Sequence, residues 1–113
     1  MKIFISETDR HNAFRAAIWN IAKVHKIDNS DYKTNKELYD EIVEMKSPIL
    51  PALNDYLNAY NKWFGFYQSK KKTEQESGNE YHLNDKERNE LAALMTARQT
   101  NLENLQKQFD QLK

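Results

Sequence analysis

The sequence predicts an all-α fold, a four-helix bundle-like single domain that ends in a long helix with a heptad pattern. The chain of 113 residues contains only two glycines and two prolines, too few turn-forming residues for an all-β sandwich. Apolar residues recur at helical spacings of three and four along most of the chain. Two capping boxes, in which a Thr or Asn precedes a Glu by three residues, mark helix starts at Thr34 and Asn84.

Start signals and polar stretches divide the chain into four helical segments and one long loop. A weaker N-cap signal stands at Ser6, followed by Glu7 and Asp9, whose negative charges favour the positive end of a helix. Ser47 before Pro48 is a further start signal, because proline suits the first helical position. We expect helices over roughly residues 7–26, 35–46, 48–68 and 85–112, and a flexible loop over residues 69–83.

The first helix is apolar over more than half of its circumference. Phe14, Ile18 and Ile21 follow helical spacing, and Trp19 lies on the other side. Such a helix is either buried between two layers or leaves one face for a partner. We favour burial, because a small bundle needs a helix of this kind. Residues 2–5, which have strand-like composition, are expected to form an extended arm on the core.

Residues 48–67 are the segment around which we expect the other helices to pack, since they hold six of the thirteen aromatic residues. The main apolar stripe is predicted to be core, with Leu53 and Phe64 among its deepest residues. Trp63 and Phe66 lie on a second ridge beside small alanines. That ridge either seats a neighbouring helix or faces a partner.

The fourth helix carries side chains at alternating spacings of four and three, the pattern of coiled-coil packing. It is predicted to be about 28 residues long, against about 20 for the third helix, or roughly 42 Å against 30 Å. We therefore expect it to overhang the bundle by up to two turns or to pack with a second copy. Its seam comprises Leu91, Met95, Arg98, Leu102, Leu105, Phe109 and Leu112.

Arg98 occupies a seam position where Leu or Ile is expected. A buried arginine needs a carboxylate partner, because an unpaired buried charge is costly. One interpretation has its aliphatic stem packed and its head directed to solvent or to an acid of the same chain. In the other, it specifies the partner or register of an intermolecular helix pair.

Composition and motifs exclude several function classes. The chain has 17 basic and 17 acidic residues and no cysteine. Zero net charge argues against a general nucleic-acid or acidic-membrane binder, and the lack of cysteine excludes disulfides and thiolate chemistry. The apolar run at the N-terminus is too short for a signal peptide, and no stretch approaches a membrane span. We expect a cytoplasmic protein.

No phosphate-binding loop, dinucleotide fingerprint or metalloprotease motif is present. His11 and His25 are too far apart on their helix to bind one metal, and Glu37, Glu41 and Glu44 are expected to form a solvated face. The sequence therefore predicts no catalytic residue, no metal ligand and no cofactor, and a protein that is not an enzyme.

Lys70–Lys72 follow the aromatic residues Trp63, Phe66 and Tyr67, which is a pattern suited to single-stranded nucleic acid. Acidic Glu74 comes directly afterwards, so core rings beside a solvated loop are the favoured interpretation. A nucleic-acid-associated helical protein stays as the alternative function.

The predicted function is that of a non-enzymatic protein–protein interaction module. Small neutral helical domains without catalytic motifs include stoichiometric inhibitors and immunity-type proteins, some of phage or mobile-element origin, that bind and block a protein target. Self-assembly through the fourth helix is a second form of the same prediction. The candidate partner-binding residues are Trp19, Trp63, Phe66, Arg98, Leu102, Leu105, Phe109 and Leu112.

Overall fold

The computed structural model describes residues 6–113, which form four α-helices and one short 3-10 helix without any β-strand among them. The predicted all-α, bundle-like fold is confirmed. The arm expected at residues 2–5 lies outside the described residues. The helices are α1 (Glu7–Val24), α2 (Asn35–Glu44), α3 (Leu50–Ser77) and α4 (Asp85–Leu112), and the 3-10 turn spans Ser30–Tyr32.

α3 is the central helix, and α1 packs between it and α2. The Arg10 guanidinium lies 4.2 Å from the centre of the Phe64 ring. One turn later on α1, the Phe14 ring meets the Tyr60 ring edge-on at 5.4 Å. Because residue numbers rise on α1 as they fall on α3, the two helices are antiparallel.

α4 packs along a neighbouring side of α3 in the same antiparallel sense. Glu87 pairs with Lys70 near the turn, and Arg98 lies over Trp63 further along. α1 and α4 therefore run parallel to each other on the surface of α3. The buried core comprises Ile18, Ile21, Ala22, Leu38, Ile42, Ile49, Ala52, Leu53, Tyr56, Tyr60, Trp63, Phe64, Phe66, Tyr67 and Leu105.

Both predicted capping boxes are present. The Glu37 and Glu87 amides donate to the side chains of Thr34 and Asn84 over 3.1 and 2.8 Å. The signal at Ser6 also forms a complete capping box, with an aspartate in place of the usual glutamate. These boxes explain why the starts of α1, α2 and α4 were predictable to the residue.

The predicted start of the third helix at Ser47 and Pro48 is wrong by two residues. α3 begins at Leu50, and Ile49 occupies the N-cap position without a side-chain hydrogen bond. Ser47 is instead buried, and its hydroxyl lies 2.7 Å from His25 Nε2 at the end of α1. A long-range hydrogen bond to a ring nitrogen has replaced the local cap.

The flexible loop predicted over residues 69–83 is also wrong for its first nine residues, since α3 continues to Ser77. The segment has no apolar residue, yet it is rich in lysine, glutamate and glutamine, which are good helix formers. The helix ends at Gly78, whose φ of 75° is left-handed. Only residues 78–84 connect the two helices.

The expected overhang of the fourth helix is therefore absent, because α3 and α4 are each 28 residues long. Phe64 on α3 lies beside the first turn of α1. From there to Gly78, α3 and α4 continue as an antiparallel hairpin. The long hairpin gives the molecule its elongated shape, 49 × 26 × 21 Å.

Arg15 organises the connection between α1 and α2. Its guanidinium donates to the backbone carbonyls of Lys33 at 2.5 Å and Ser30 at 2.9 Å. Ser30 begins the 3-10 turn and Lys33 follows it, and the Ser30 carbonyl also accepts the Lys33 backbone N–H at 3.4 Å. One charged side chain of α1 thus holds both ends of this turn.

We predict that Arg15→Lys lowers the free energy of unfolding by about 1–3 kcal/mol, because lysine lacks the planar fork whose two nitrogens each bond one carbonyl. Urea denaturation followed by circular dichroism measures this change. Arg88→Lys is the matched control, since Arg88 is exposed and lies 3.7 Å from Asp85. Equal stability of the two variants would contradict the role given to Arg15.

Two lysines stand where helices usually end in glycine. Lys26 follows α1 and Lys46 follows α2, with left-handed φ values of 58° and 54°. We predict that Lys46→Gly raises the free energy of unfolding by about 0.5–1 kcal/mol, because glycine adopts this conformation without steric cost. In the interior of α4, Lys107→Gly should instead lower it by about 1 kcal/mol. Thermal denaturation of both variants checks the opposite signs.

Candidate protein-binding groove

An open groove of about 240 Å³ separates α1 from α4. Because α1 and α4 both lean on α3 but make few contacts with each other, the space between them is not filled. Ile21 and Tyr56 form its floor. The walls are Ala13, Ala16, Ala17 and Asn20 on α1 and Leu102, Leu105, Gln106 and Phe109 on α4.

The α1 wall is built from small side chains. Ala13, Ala16, Ala17 and Asn20 are spaced by three, four and seven residues, which places them on one side of the helix. Ala16 is exposed, and the other two alanines are half-buried. A helix surface made of alanine lets another backbone approach closely, since interaxial distance depends on the side chains at the contact.

The α4 wall contains three of the predicted partner-binding residues. Leu105 is buried, whereas Leu102 and Phe109 are half-buried and keep part of their surface in the groove. Leu112, a fourth candidate, packs against the core one turn further on. The structure thus brings the outer part of the predicted seam next to α1.

Nothing that lines the groove carries a formal charge. Tyr56 is the single ionisable group in the lining, and burial raises the pKa of its hydroxyl. The volume is below the roughly 300–1,000 Å³ typical of small-molecule pockets. Apolar side chains from another polypeptide match this surface better than a charged or drug-sized ligand does.

Trp63 and Phe66 are not part of this surface. They are 9% and 8% exposed and lie in the core. Trp63 meets the rings of Tyr60 and Tyr67 edge-on at 5.3 and 5.6 Å. Of the two interpretations of the second ridge, the structure agrees with the one in which the ridge packs against a neighbouring helix, α4. A partner reaches these two rings only if α4 moves.

Arg98 packs against an aromatic ring, and its role in an intermolecular helix pair stays a prediction. Its guanidinium lies 4.2 Å from the centre of the Trp63 ring, a cation–π contact. No carboxylate within residues 6–113 forms an ion pair with it, and its Nε has no hydrogen-bond partner there. The predicted intramolecular acid is therefore wrong for the described part of the chain, and the aromatic ring stands in its place.

Two further residues singled out in the sequence, Met95 of the seam and Trp19 of the first helix, lie outside the groove. Met95 is 41% exposed, so the seam passes through Leu94 instead. Trp19 lies against the connection between α1 and α2, away from the groove. Its indole N–H donates to Asp31 over 2.8 Å, and the Lys23 ammonium lies 5.1 Å from its ring.

Sequence reasoning missed a polar cluster that closes the hairpin. The carboxylate of Glu87 lies 2.6 Å from the Lys70 ammonium and accepts a 2.5 Å bond from the Tyr81 hydroxyl. The Lys70 ammonium, the Tyr81 hydroxyl and the Asn84 backbone N–H together lower the pKa of Glu87 to about 2. The capping box at Asn84 was visible in the sequence, but its two distant partners were not.

The polar cluster uses one lysine of the nucleic-acid alternative, and the core buries its two aromatic rings. Lys70 is committed to Glu87 and lies 4.9 Å from the centre of the Phe66 ring. Trp63 and Phe66 are buried, so neither presents a face on which a base can stack. Lys72 is exposed beside Glu76.

No three of the described His, Asp and Glu side chains come close enough together to hold a metal ion. Glu41, one of the acidic residues of α2, pairs with Lys33 at 2.9 Å. Among the described helices none has the length and apolar composition needed to cross a membrane.

No family model, no curated protein and no solved structure matches this chain. The groove and the side chains around it are therefore the features that indicate a function.

We predict that Glu87→Gln removes part of the acid sensitivity of the fold. Because the folded pKa is depressed to about 2 from the usual 4.5, the carboxylate stabilises the hairpin above pH 4.5. That contribution is lost as pH falls from 4.5 toward 2. The variant should be less stable than the wild type at neutral pH, and the difference should close across this window.

Urea denaturation at several pH values measures the effect. Glu103→Gln is the control, since Glu103 is exposed on the same helix next to Gln99. It should keep the wild-type decline. An equally steep decline for Glu87→Gln would show that the cluster does not couple folding to protonation.

Proposed function

We propose that this chain is a non-enzymatic protein-interaction module and that the groove between α1 and α4 is its binding surface. One observation carries the proposal: an open, uncharged, mostly apolar groove lies on the surface of a chain in which 30% of the residues are charged. Open apolar surfaces with polar surroundings mark protein-binding sites more often than unspecialised surface. The ionisable cluster around Glu87, which lies away from the groove, is satisfied within the chain.

The finer proposal is a stoichiometric mode of action in the cytoplasm. A small inhibitor or immunity-type protein blocks its target by occupying a surface, and it needs no reactive group to do so. The groove supports this mode because apolar burial supplies affinity without chemistry. We expect the target to present apolar side chains, which match the uncharged lining of the groove.

The test is affinity purification from the native host with three tagged forms of the chain. We expect the wild type to retain a specific protein that Ala16→Glu loses, because the new carboxylate cannot be buried in an apolar contact without loss of affinity. Ala93→Glu is the matched control: Ala93 is exposed on α4 and lies outside the groove. It should retain the same protein as the wild type.

Capture of the same proteins by all three forms would remove the groove as the binding surface. For a partner that passes this test, titration of its activity with the chain distinguishes an inhibitor from a passive ligand. Complete loss of activity at an equimolar ratio is the expected result for a stoichiometric inhibitor. Unchanged activity would leave an interaction module without inhibitory action.

A further inference from the structure

The outer side of α1 has a self-complementary arrangement of residues. Asp9, Ala16 and Lys23 are seven residues apart, so they fall on one line along the helix, and all three are exposed. Asn12 and Asn20 flank Ala16 at four residues on either side and are also exposed. Asp9 and Lys23 are thus equally far from Ala16 along the helix, and so are Asn12 and Asn20.

A two-fold axis at Ala16 converts this arrangement into a matched contact. An antiparallel second copy of α1 would place its Lys23 opposite Asp9 and its Asn20 opposite Asn12, each pair occurring twice. Amide side chains can donate and accept hydrogen bonds, so the two asparagines suit each other. The centre of the contact is alanine on alanine, which permits close helix packing.

The groove continues this contact onto α4. Ala13, Ala16 and Ala17 are both the small side of α1 and one wall of the groove. A second α1 laid against them covers the apolar surface of Leu102 and Phe109 on the other wall.

We propose that the groove is occupied by a second copy of this chain, in a two-fold symmetric dimer whose axis passes by Ala16. The inference rests on the proposed function, because it takes the groove as a protein-binding surface, and it names the partner. Both copies contribute the same α1 and α4 surfaces, so each groove is closed by the α1 of the other chain. The predicted self-assembly through the fourth helix thereby becomes an interface centred on α1.

Sedimentation velocity across micromolar to near-millimolar concentrations is the first measurement. We expect the mass to rise toward twice the 13.4 kDa of one chain. Ala16→Glu should remain monomeric at every concentration, because two carboxylates would meet at the axis. Ala93→Glu should dimerise as the wild type does. Lys23→Glu should raise the dimer dissociation constant by about tenfold, since two attractive pairs become repulsive, and salt should reduce this difference.

Cysteine cross-linking provides an independent test of the axis. The chain contains no cysteine, so Ala16→Cys introduces a single thiol. At a two-fold axis the two thiols face each other within disulfide reach, and mild oxidation should yield covalent dimer. Ala93→Cys, an equally exposed position away from the groove, should yield little.

A wild type that stays monomeric at all concentrations overturns the dimer. A dimer that persists in Ala16→Glu and cross-links no better through Ala16→Cys than through Ala93→Cys overturns it as well, because its interface lies elsewhere. Neither result decides the proposed function, which the capture experiment tests separately: a host protein lost only by Ala16→Glu would be a target that competes with the second copy for the groove. Failure of both experiments removes the groove as a binding surface.

Discussion

Burial of the aromatic face of α3 determines where α1 and α4 lie, and α2 packs in turn on α1. Tyr56, Tyr60, Trp63 and Tyr67 follow one another at spacings of three and four, and their rings meet edge-on along the helix. Such contacts favour defined orientations as well as burial. α1 packs on one flank of this face and α4 on the other, and together they bury all four rings. The groove lies above Tyr56, between the two covering helices.

Polar interactions fix the ends of this arrangement more than its middle. The hydroxyl of Ser47 meets His25 at the corner before α3, and Lys70 pairs with Glu87 near the hairpin turn. Both contacts join residues that are far apart in sequence but adjacent at the ends of packed helices. Between them the helices are held by apolar contact. Arg98 lies in this middle region, and its guanidinium contacts the Trp63 ring where an ion pair was expected.

The sequence predicts elements well where the deciding interactions are local. Capping boxes at Thr34 and Asn84 place two helix starts, and helical periodicity identifies the core side of α3. The predicted helix bounds are wrong where contacts between residues distant in sequence determine the structure. The residues around Ser47 predict a helix N-cap, but its side chain bonds to His25 instead. The polar end of α3 is held against α4 by the ion pair between Lys70 and Glu87. The α4 wall was among the predicted partner-binding residues, but the alanine wall was missed. Small exposed alanines give no pattern until a neighbouring helix makes them one side of a groove.

The outer side of α1 carries unusually few charges for a helix that faces water. From residue 11 to residue 22 the helix has one charged side chain, Arg15, and its guanidinium is used by the loop before α2. The outer side of these three turns thus presents alanine and asparagine in a chain where 30% of residues are charged. An isolated surface helix usually carries charges there for solubility. Their absence between Asp9 and Lys23, together with the groove beside it, is accounted for if another polypeptide covers this side of α1.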